Sequence, residues 1–205
     1  VKPGDEVMVL PSRKTARVER IATYDGDLDE AFAPMAVTLV LDREIDVSRG
    51  DMLVHLDNVP RASTEFEAHV VWMTEQPLAA GRGYLIKQTT NQTPGVVSEI
   101  RHRIDVNTLE ETAADTLQLN EIGQVVLTLS KPLAYDRYKD NRQTGNFILV
   151  DRITNNTVGA GMILMPAGAD RARSVFERYA NESSVDVTVR ASQVTTQRRQ
   201  ARVGH

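Results

Sequence analysis

The sequence predicts an all-β protein made of two consecutive blocks of short strands, followed by a tail of a different pattern. Three observations predict it. Short apolar runs recur about every ten residues, separated by Gly, Pro, Asp and Ser, the punctuation of barrels and sandwiches. Several of those runs alternate apolar and polar residues with period two. In Thr157-Val158-Gly159-Ala160-Gly161-Met162-Ile163, two glycines sit inside an apolar run, which marks a bulge or the close approach of another backbone. That last segment has the pattern of a closing barrel strand.

In the first block, Glu6-Val7-Met8-Val9-Leu10 reads as a strand stopped by Pro11-Ser12. Residues 16–23 alternate, with Ala16, Val18 and Arg20 on one face and Arg17, Glu19 and Ile21 on the other. The β-branched run at 36–41 reads as a strand buried on both faces. Ser48-Arg49-Gly50-Asp51 turns the chain into Met52-Leu53-Val54. Residues 58–63 read as a linker. In the second block, Phe66, Ala68, Val70 and Trp72 alternate with Glu65, Glu67, His69 and Val71. Further strands are predicted at 84–86, 95–104, 123–129, 146–153 and 158–165. Only 108–115 invites a helix, and it is too short to stand without tertiary support. The tail changes period: Ala172, Val175, Phe176 and Tyr179 form a helical stripe, and Val185, Val187 and Val189 an alternating strand.

Composition bounds the function. With 205 residues the chain can hold one large or two small domains, and 25% charged with 41% hydrophobic residues is ordinary globular usage. No apolar run approaches the roughly 20 residues that span a bilayer, so no membrane partner is expected. There is no cysteine, which excludes disulfides, thiol chemistry and thiolate metal sites. The net charge of −4 is uneven: from Ala167 onward seven arginines face four acids, so the first 166 residues carry −7. An acidic body argues against a role in binding nucleic acid.

The chemistry-bearing patterns fall short of active sites. Asp25-Gly26-Asp27-Leu28-Asp29 has the opening spacing of a calcium loop, but Glu30 and Ala36 stand where glycine and glutamate are required, so a solvated acidic loop is the reading. The histidines at 55, 69, 102 and 205 lack metal-pair spacing. No serine sits in a strand-turn-helix nucleophile elbow. Ala80-Gly81-Arg82-Gly83 is followed by a strand, which makes it a hairpin turn where a phosphate cradle would lead into a helix. No Gly-x-x-x-x-Gly-Lys-Ser/Thr occurs, and Trp72 begins no aromatic ladder for nucleic acid. Catalytic, cofactor-binding and metal residues are therefore all expected to be none.

Longer motifs carry a resemblance. Gly4-Asp5-Glu6-Val7 and Ile45-Asp46-Val47-Ser48-Arg49-Gly50-Asp51-Met52-Leu53-Val54 resemble the opening and closing segments of the second domain of translation-factor GTPases. Thr157-Val158-Gly159-Ala160-Gly161 is shared with the third domain of elongation factor Tu. Thr23-Tyr24-Asp25-Gly26-Asp27-Leu28-Asp29-Glu30-Ala31-Phe32, Val71-Trp72-Met73-Thr74-Glu75-Gln76-Pro77-Leu78, Leu133-Ala134-Tyr135-Asp136-Arg137-Tyr138 and Asp151-Arg152-Ile153-Thr154-Asn155-Asn156 look like the GTPase subunit of bacterial ATP sulfurylase. The resemblance covers roughly residues 3–165.

It implies two consecutive antiparallel β-barrels of the elongation factor Tu domain 2 and domain 3 type, at 1–60 and 64–166, then a short α/β tail at 167–205. The first barrel is expected to be N-terminally truncated, by about 20 residues, leaving an open edge near residues 7–10. The family's GTPase domain, with its GTP and Mg, lies outside this sequence, and this chain alone is expected to be inactive. The lack of cysteine fits a cytoplasmic protein, with a cysteine-free exported one left open. By resemblance the parent hydrolyses GTP to help its partner, the adenylyl-transfer subunit, make adenylylsulfate and pyrophosphate from ATP and sulfate in sulfate assimilation. Contact with that partner, or with the GTPase domain, would fall to Asp25, Asp27, Asp29, Tyr135, Asp136, Arg137 and Tyr138, unless these loops are merely solvated turns. Two other readings stay open: a tRNA-binding barrel fragment of an elongation factor, and a stand-alone β-barrel interaction module.

Overall fold

The computed structural model describes residues 1–166, which form one compact unit, Val1–Pro166. The helical stripe, alternating strand and arginine-rich end read from 167–205 lie outside the described residues.

The first sheet has five strands. β1 (Glu6–Leu10) and β2 (Thr15–Thr23) pair antiparallel, with Val7 opposite Ala16. β3 (Gly26–Leu28) follows through a tight turn, and β4 (Thr38–Leu41) lies along the opposite edge of β2. β5 (Met52–His55) returns to pair with β1, Met8 opposite Val54. Val7, Val18, Ile21 and Ala31 form its small core, with Val1, Leu28, Val37, Leu39 and Leu41 packed against it. Among the described residues the sheet does not close on itself.

Three expectations change here. The alternation read along β2 breaks: a register shift between Val18 and Arg20 inserts an extra residue, so Ile21 points inward, fully buried, and Arg20 points out. The run at 36–41 is a four-residue edge strand with Thr38 exposed and the rest half-buried, because among the described residues nothing covers its outer side. β1 is not the open edge, since β2 and β5 occupy both of its sides; among the described residues the open edges belong to β3, β4 and β5.

The second sheet closes. β6 (Arg61–Trp72), β8 (Gly83–Gln88), β9 (Asn91–Ile104), β12 (Ile122–Tyr135), β13 (Asn146–Val150) and β14 (Thr157–Pro166) form a ring in the order β9-β12-β6-β14-β13-β8, closed by the pairing of β8 with β9. β7 (Leu78–Ala79) and β11 (Thr116–Leu117) form a small flap, and β10 (Glu111–Thr112) extends β9. β6 starts inside the stretch read as a linker, because Arg61, Ala62 and Ser63 pair with Tyr135, Ala134 and Leu133.

Alternation along β6 is borne out on its inner face, where Phe66, Ala68, Val70 and Trp72 are buried. Glu67 departs from it. This outward carboxylate is only 2% exposed, because it accepts hydrogen bonds from Gln124 Nε2 at 2.8 Å and Arg101 Nη2 at 3.4 Å. Aromatic rings fill the barrel: Phe66 lies 5.3 Å from Tyr135 and 5.6 Å from Phe147, and Trp72 5.7 Å from Tyr84. Each such pair adds about 0.5–1.5 kcal/mol beyond its buried area. Gly161 explains the glycine signal in β14: a Cβ there would run into the Phe147 ring, which lies across the strand.

The helix expected at 108–115 does not form. The Asp105 carboxylate accepts the N–H groups of Asn107 and Thr108, and Leu109 takes a left-handed φ of 60°. Glu111 and Thr112 then pair with Ile104 and Arg103. A side-chain-capped turn has outcompeted a helix too short to hold itself.

The sheets meet at one end of the barrel. Leu10, Pro11 and Met52 face Ala62, Gln88 and Ala134, and Asn91 Nδ2 donates to Gly50 O at 3.3 Å. Gln88 ties that end shut, its buried amide donating to Ala134 O and Thr144 O.

Candidate partner-binding surfaces

The β2–β3 hairpin projects from the first sheet. Thr23 Oγ1 donates to Gly26 O at 2.7 Å and closes the turn, and Gly26 at φ 126° adopts backbone that a side chain would strain. Tyr24 at its tip is wholly exposed. Asp25, Asp27 and Asp29 are all exposed; Asp27 is engaged by Arg20 Nη1 at 3.1 Å. Phe32, just beyond, is 69% exposed. Beside the hairpin runs an open groove of about 430 Å³ along the outer face of β2 and β4, lined by Ala22, Tyr24, Val37 and Val40. Tyr24 and Phe32 thus stand exposed beside Asp25 and Asp29, which have no ion-pair partner among the described residues, and beside Asp27, which has one.

The loop after β12 is different. Tyr135 is buried, its ring against Phe66, and burial raises its hydroxyl pKa above the ordinary value. Asp136 accepts from Thr144 Oγ1 at 2.6 Å, and Arg137 Nε donates to Asp140 at 2.6 Å. Tyr138 N donates to Ile163 O, and the Arg142 guanidinium sits 5.9 Å from the Tyr138 ring. The loop is therefore built inward: Tyr135 and Asp136 shape it, while Arg137 and Tyr138 stand nearer its surface. The structure places Asp25, Asp27 and Asp29 on one hairpin and Tyr135 to Tyr138 on another element, so the seven residues do not form one cluster.

The sequence missed a third feature, at the barrel end away from the first sheet. A cleft of about 670 Å³ opens between the end of β6, the start of β8 and the β13–β14 turn. Arg82 Nη2 donates to Asp151 Oδ2 at 2.9 Å. Asp151 Oδ1 accepts the N–H groups of Ile153 and Thr154, both at 2.9 Å. Those backbone donors, with Thr154 first, hold the Asp151 carboxyl below its usual pKa; Arg82 adds a smaller share. The sequence signal was the Asp-x-x-Thr turn following a strand, which sequence reading took up only as part of a longer resemblance.

Comparison with known proteins sharpens this picture. Residues 65–164 match the family model described as GTP-eEF1A C-terminal domain-like. The bifunctional enzyme CysN/CysC of Rhodopirellula baltica is 50% identical over all of this chain, which spans 31% of that protein. Sulfate adenylyltransferase subunit 1 of Alteromonas mediterranea is 54% identical over 83% of this chain and 36% of its own length. The chain is a homologue of part of sulfate adenylyltransferase subunit 1. The subunit 1 of Saccharophagus degradans gives 51% identity over 89% of the chain, again on only 39% of its length. The chain thus spans about a third of the curated relatives it matches. Among solved structures, Sup35 complexed with GDP superposes with a TM-score of 0.73 at 21% identity, covering 81% of this chain and 41% of that one. That likeness gives the fold: a closed barrel and a half-barrel sheet arranged as in translation-factor GTPases.

Proposed function

We propose that these residues are the barrel portion of subunit 1 of a cytoplasmic sulfate adenylyltransferase. Identity of 54% over 83% of the chain and 51% over 89% of it to two proteins named sulfate adenylyltransferase subunit 1 carries the reading. The reaction would join ATP and sulfate into adenylylsulfate with release of pyrophosphate. GTP and Mg would be held by a GTPase domain elsewhere in the subunit, since no phosphate-cradling loop occurs in this sequence. The barrels then have a mechanical role. They brace that domain and present a surface to the second subunit, which carries the adenylyl transfer.

The β2–β3 hairpin is the contact this proposal favours, with Tyr24 as the anchor and Asp25, Asp27 and Asp29 as the steering charges. Arg137 and Tyr138 offer a secondary contact. Charges on a rim mainly set the association rate. The test is surface-plasmon kinetics between the full subunit 1 containing these residues and subunit 2. Reversing Asp25, Asp27 and Asp29 together to lysine should slow association at least about tenfold at low salt, with dissociation less affected. Unchanged association would place the interface elsewhere. Calorimetry of this 205-residue chain with GTP or ATP should show no micromolar complex; one would overturn the proposed division of labour.

A further inference from the structure

We infer that the cleft at the far end of the closed barrel is a docking site for a protein segment carrying a carboxylate next to an aliphatic side chain. The inference stands apart from the sulfate adenylyltransferase reading, because it rests on the cleft alone.

Two large apolar side chains stand at its rim, Ile153 at 88% and Met73 at 52% exposure. Neither is loose. Ile153 sits in a six-residue turn closed from both sides: Asp151 N donates to Asn156 O, Asn155 N donates to Asp151 O, and the Asp151 carboxylate takes the Ile153 amide. Asn155 holds the left-handed φ of 58° that the turn requires. Met73 N donates to Val158 O, and the loop after it is pinned by Trp72 Nε1 donating to Gln76 O at 2.7 Å. Apolar groups carried on fixed backbone cost little backbone entropy on binding, so only their rotamers remain to be ordered.

Between the lips lies Arg82, its side chain one-third exposed. Its guanidinium is fixed by Asp151 on one side and by the Tyr84 ring, 5.7 Å from it, on the other. Of its five N–H groups, the bond to Asp151 uses one, so a donor pair remains for a carboxylate. At the floor, the buried Tyr84 hydroxyl has no hydrogen-bond partner among the described residues, which is unusual for a fully buried polar atom.

The chemistry selects among occupants. Trp72 and Tyr84 are buried, so neither offers a face on which a nucleobase could stack. A polyanion needs several cations, whereas Arg82 is already shared with Asp151. An apolar rim around a fixed arginine is instead the composition of a protein interface centre. The cleft also lies ten residues along β6 from Ala62, where the first sheet docks, or roughly 33 Å at strand rise. An occupant here would leave that junction undisturbed.

The experiment is an amide-resolved NMR titration of the 205-residue chain with acetyl-Leu-Glu-Leu-amide and, separately, acetyl-Leu-Gln-Leu-amide. The glutamate peptide should shift the Trp72 indole N–H and the Met73 and Ile153 amides along one saturable curve, with Kd on the order of 1 mM for so small a probe. The glutamine peptide should bind at least about fivefold more weakly, as should the glutamate peptide to Ile153→Ser. Ile153→Ser alters an exposed side chain, so an unchanged spectrum elsewhere separates lost binding from lost fold. No saturable shift up to about 10 mM would overturn the inference. So would equal binding of both peptides, or unaltered binding to Ile153→Ser.

Discussion

The closed barrel and the open sheet are built from the same kinds of strand, yet they hold themselves together differently. The barrel pairs both edges of each of its six ring strands and encloses a core of aromatic and branched side chains around Phe66, Trp72 and Phe147. The sheet pairs both edges only of β1 and β2, and four buried residues anchor its core. Closure is what separates them: a sheet that curls back on itself converts every outward backbone donor into a bond and every inward side chain into packing. An open sheet of equal strand quality must leave one row of each unmade.

That contrast has a large, measurable consequence. Phe66→Ala should destabilise the barrel by about 3–5 kcal/mol, since it empties a site walled by Tyr135 and Phe147. Ile21→Ala in the sheet should cost about 2 kcal/mol, the low end for such a change, because a small open core can relax around the gap. Trp72 is the only tryptophan and lies in the barrel, so urea unfolding followed by its fluorescence reads that region selectively. Phe66→Ala should move the Trp72 transition and Ile21→Ala should barely touch it. Equal shifts would show the two regions unfolding as one cooperative unit.

Hydrogen exchange divides the sheet further. Amides of β1 should exchange slowly, being flanked by β2 and β5, while outward-facing amides of β4 and β5 should exchange near the rate of a frayed edge. Fast exchange throughout Glu6–Leu10 would mean that the pairing of β1 with β5 is not stable in solution.

The same difference governs what was legible in the sequence. Along β6 the inner face could be read residue by residue, because a closed barrel enforces strict alternation from Phe66 to Trp72. Along β2 the alternation failed at Arg20, because a bulge costs little in a sheet with a free edge and leaves no mark in the residue types. Gly161 of β14 was legible because only a hydrogen fits beneath Phe147, but the ring responsible was not. The burial of Glu67 was not legible, since it depends on Gln124 and Arg101, which are distant in sequence. The cleft around Arg82 and Asp151 was invisible for the same reason: the two lie 69 residues apart.

A smaller effect belongs to the barrel's outer face. His69 is half-buried, and burial, then the neighbouring His102, lowers its pKa from 6.5. His102 Nε2 in turn lies 3.4 Å from Glu111, and Gln124 supports His69 from the adjacent strand. As pH falls through 6.5 the unfolded chain takes up a proton that the folded chain resists, so stability drops until the lower folded pKa is passed. Thermal melting should therefore show a shallow decline in Tm between pH 7 and pH 5, and His69→Gln should flatten it. A decline unchanged in that variant would assign the proton uptake to another group.

The smallest effect tests what holds the β2–β3 hairpin outward. Arg20 and Asp27 face each other across it at 3.1 Å, each about half exposed. In water the Coulomb attraction of such a pair is offset by the entropy of holding two long side chains, so its worth is about 0–1 kcal/mol. The backbone, by contrast, is fixed by the pairing of Ile21, Ala22 and Thr23 with Leu28, Asp27 and Gly26. A double-mutant cycle on Arg20→Ala and Asp27→Ala should give a coupling below about 1 kcal/mol that vanishes in high salt. A larger coupling would mean that the side-chain pair, and not the turn, sets the hairpin's position. The charge reversal at Asp25, Asp27 and Asp29 would then disturb the hairpin itself as well as any partner it meets.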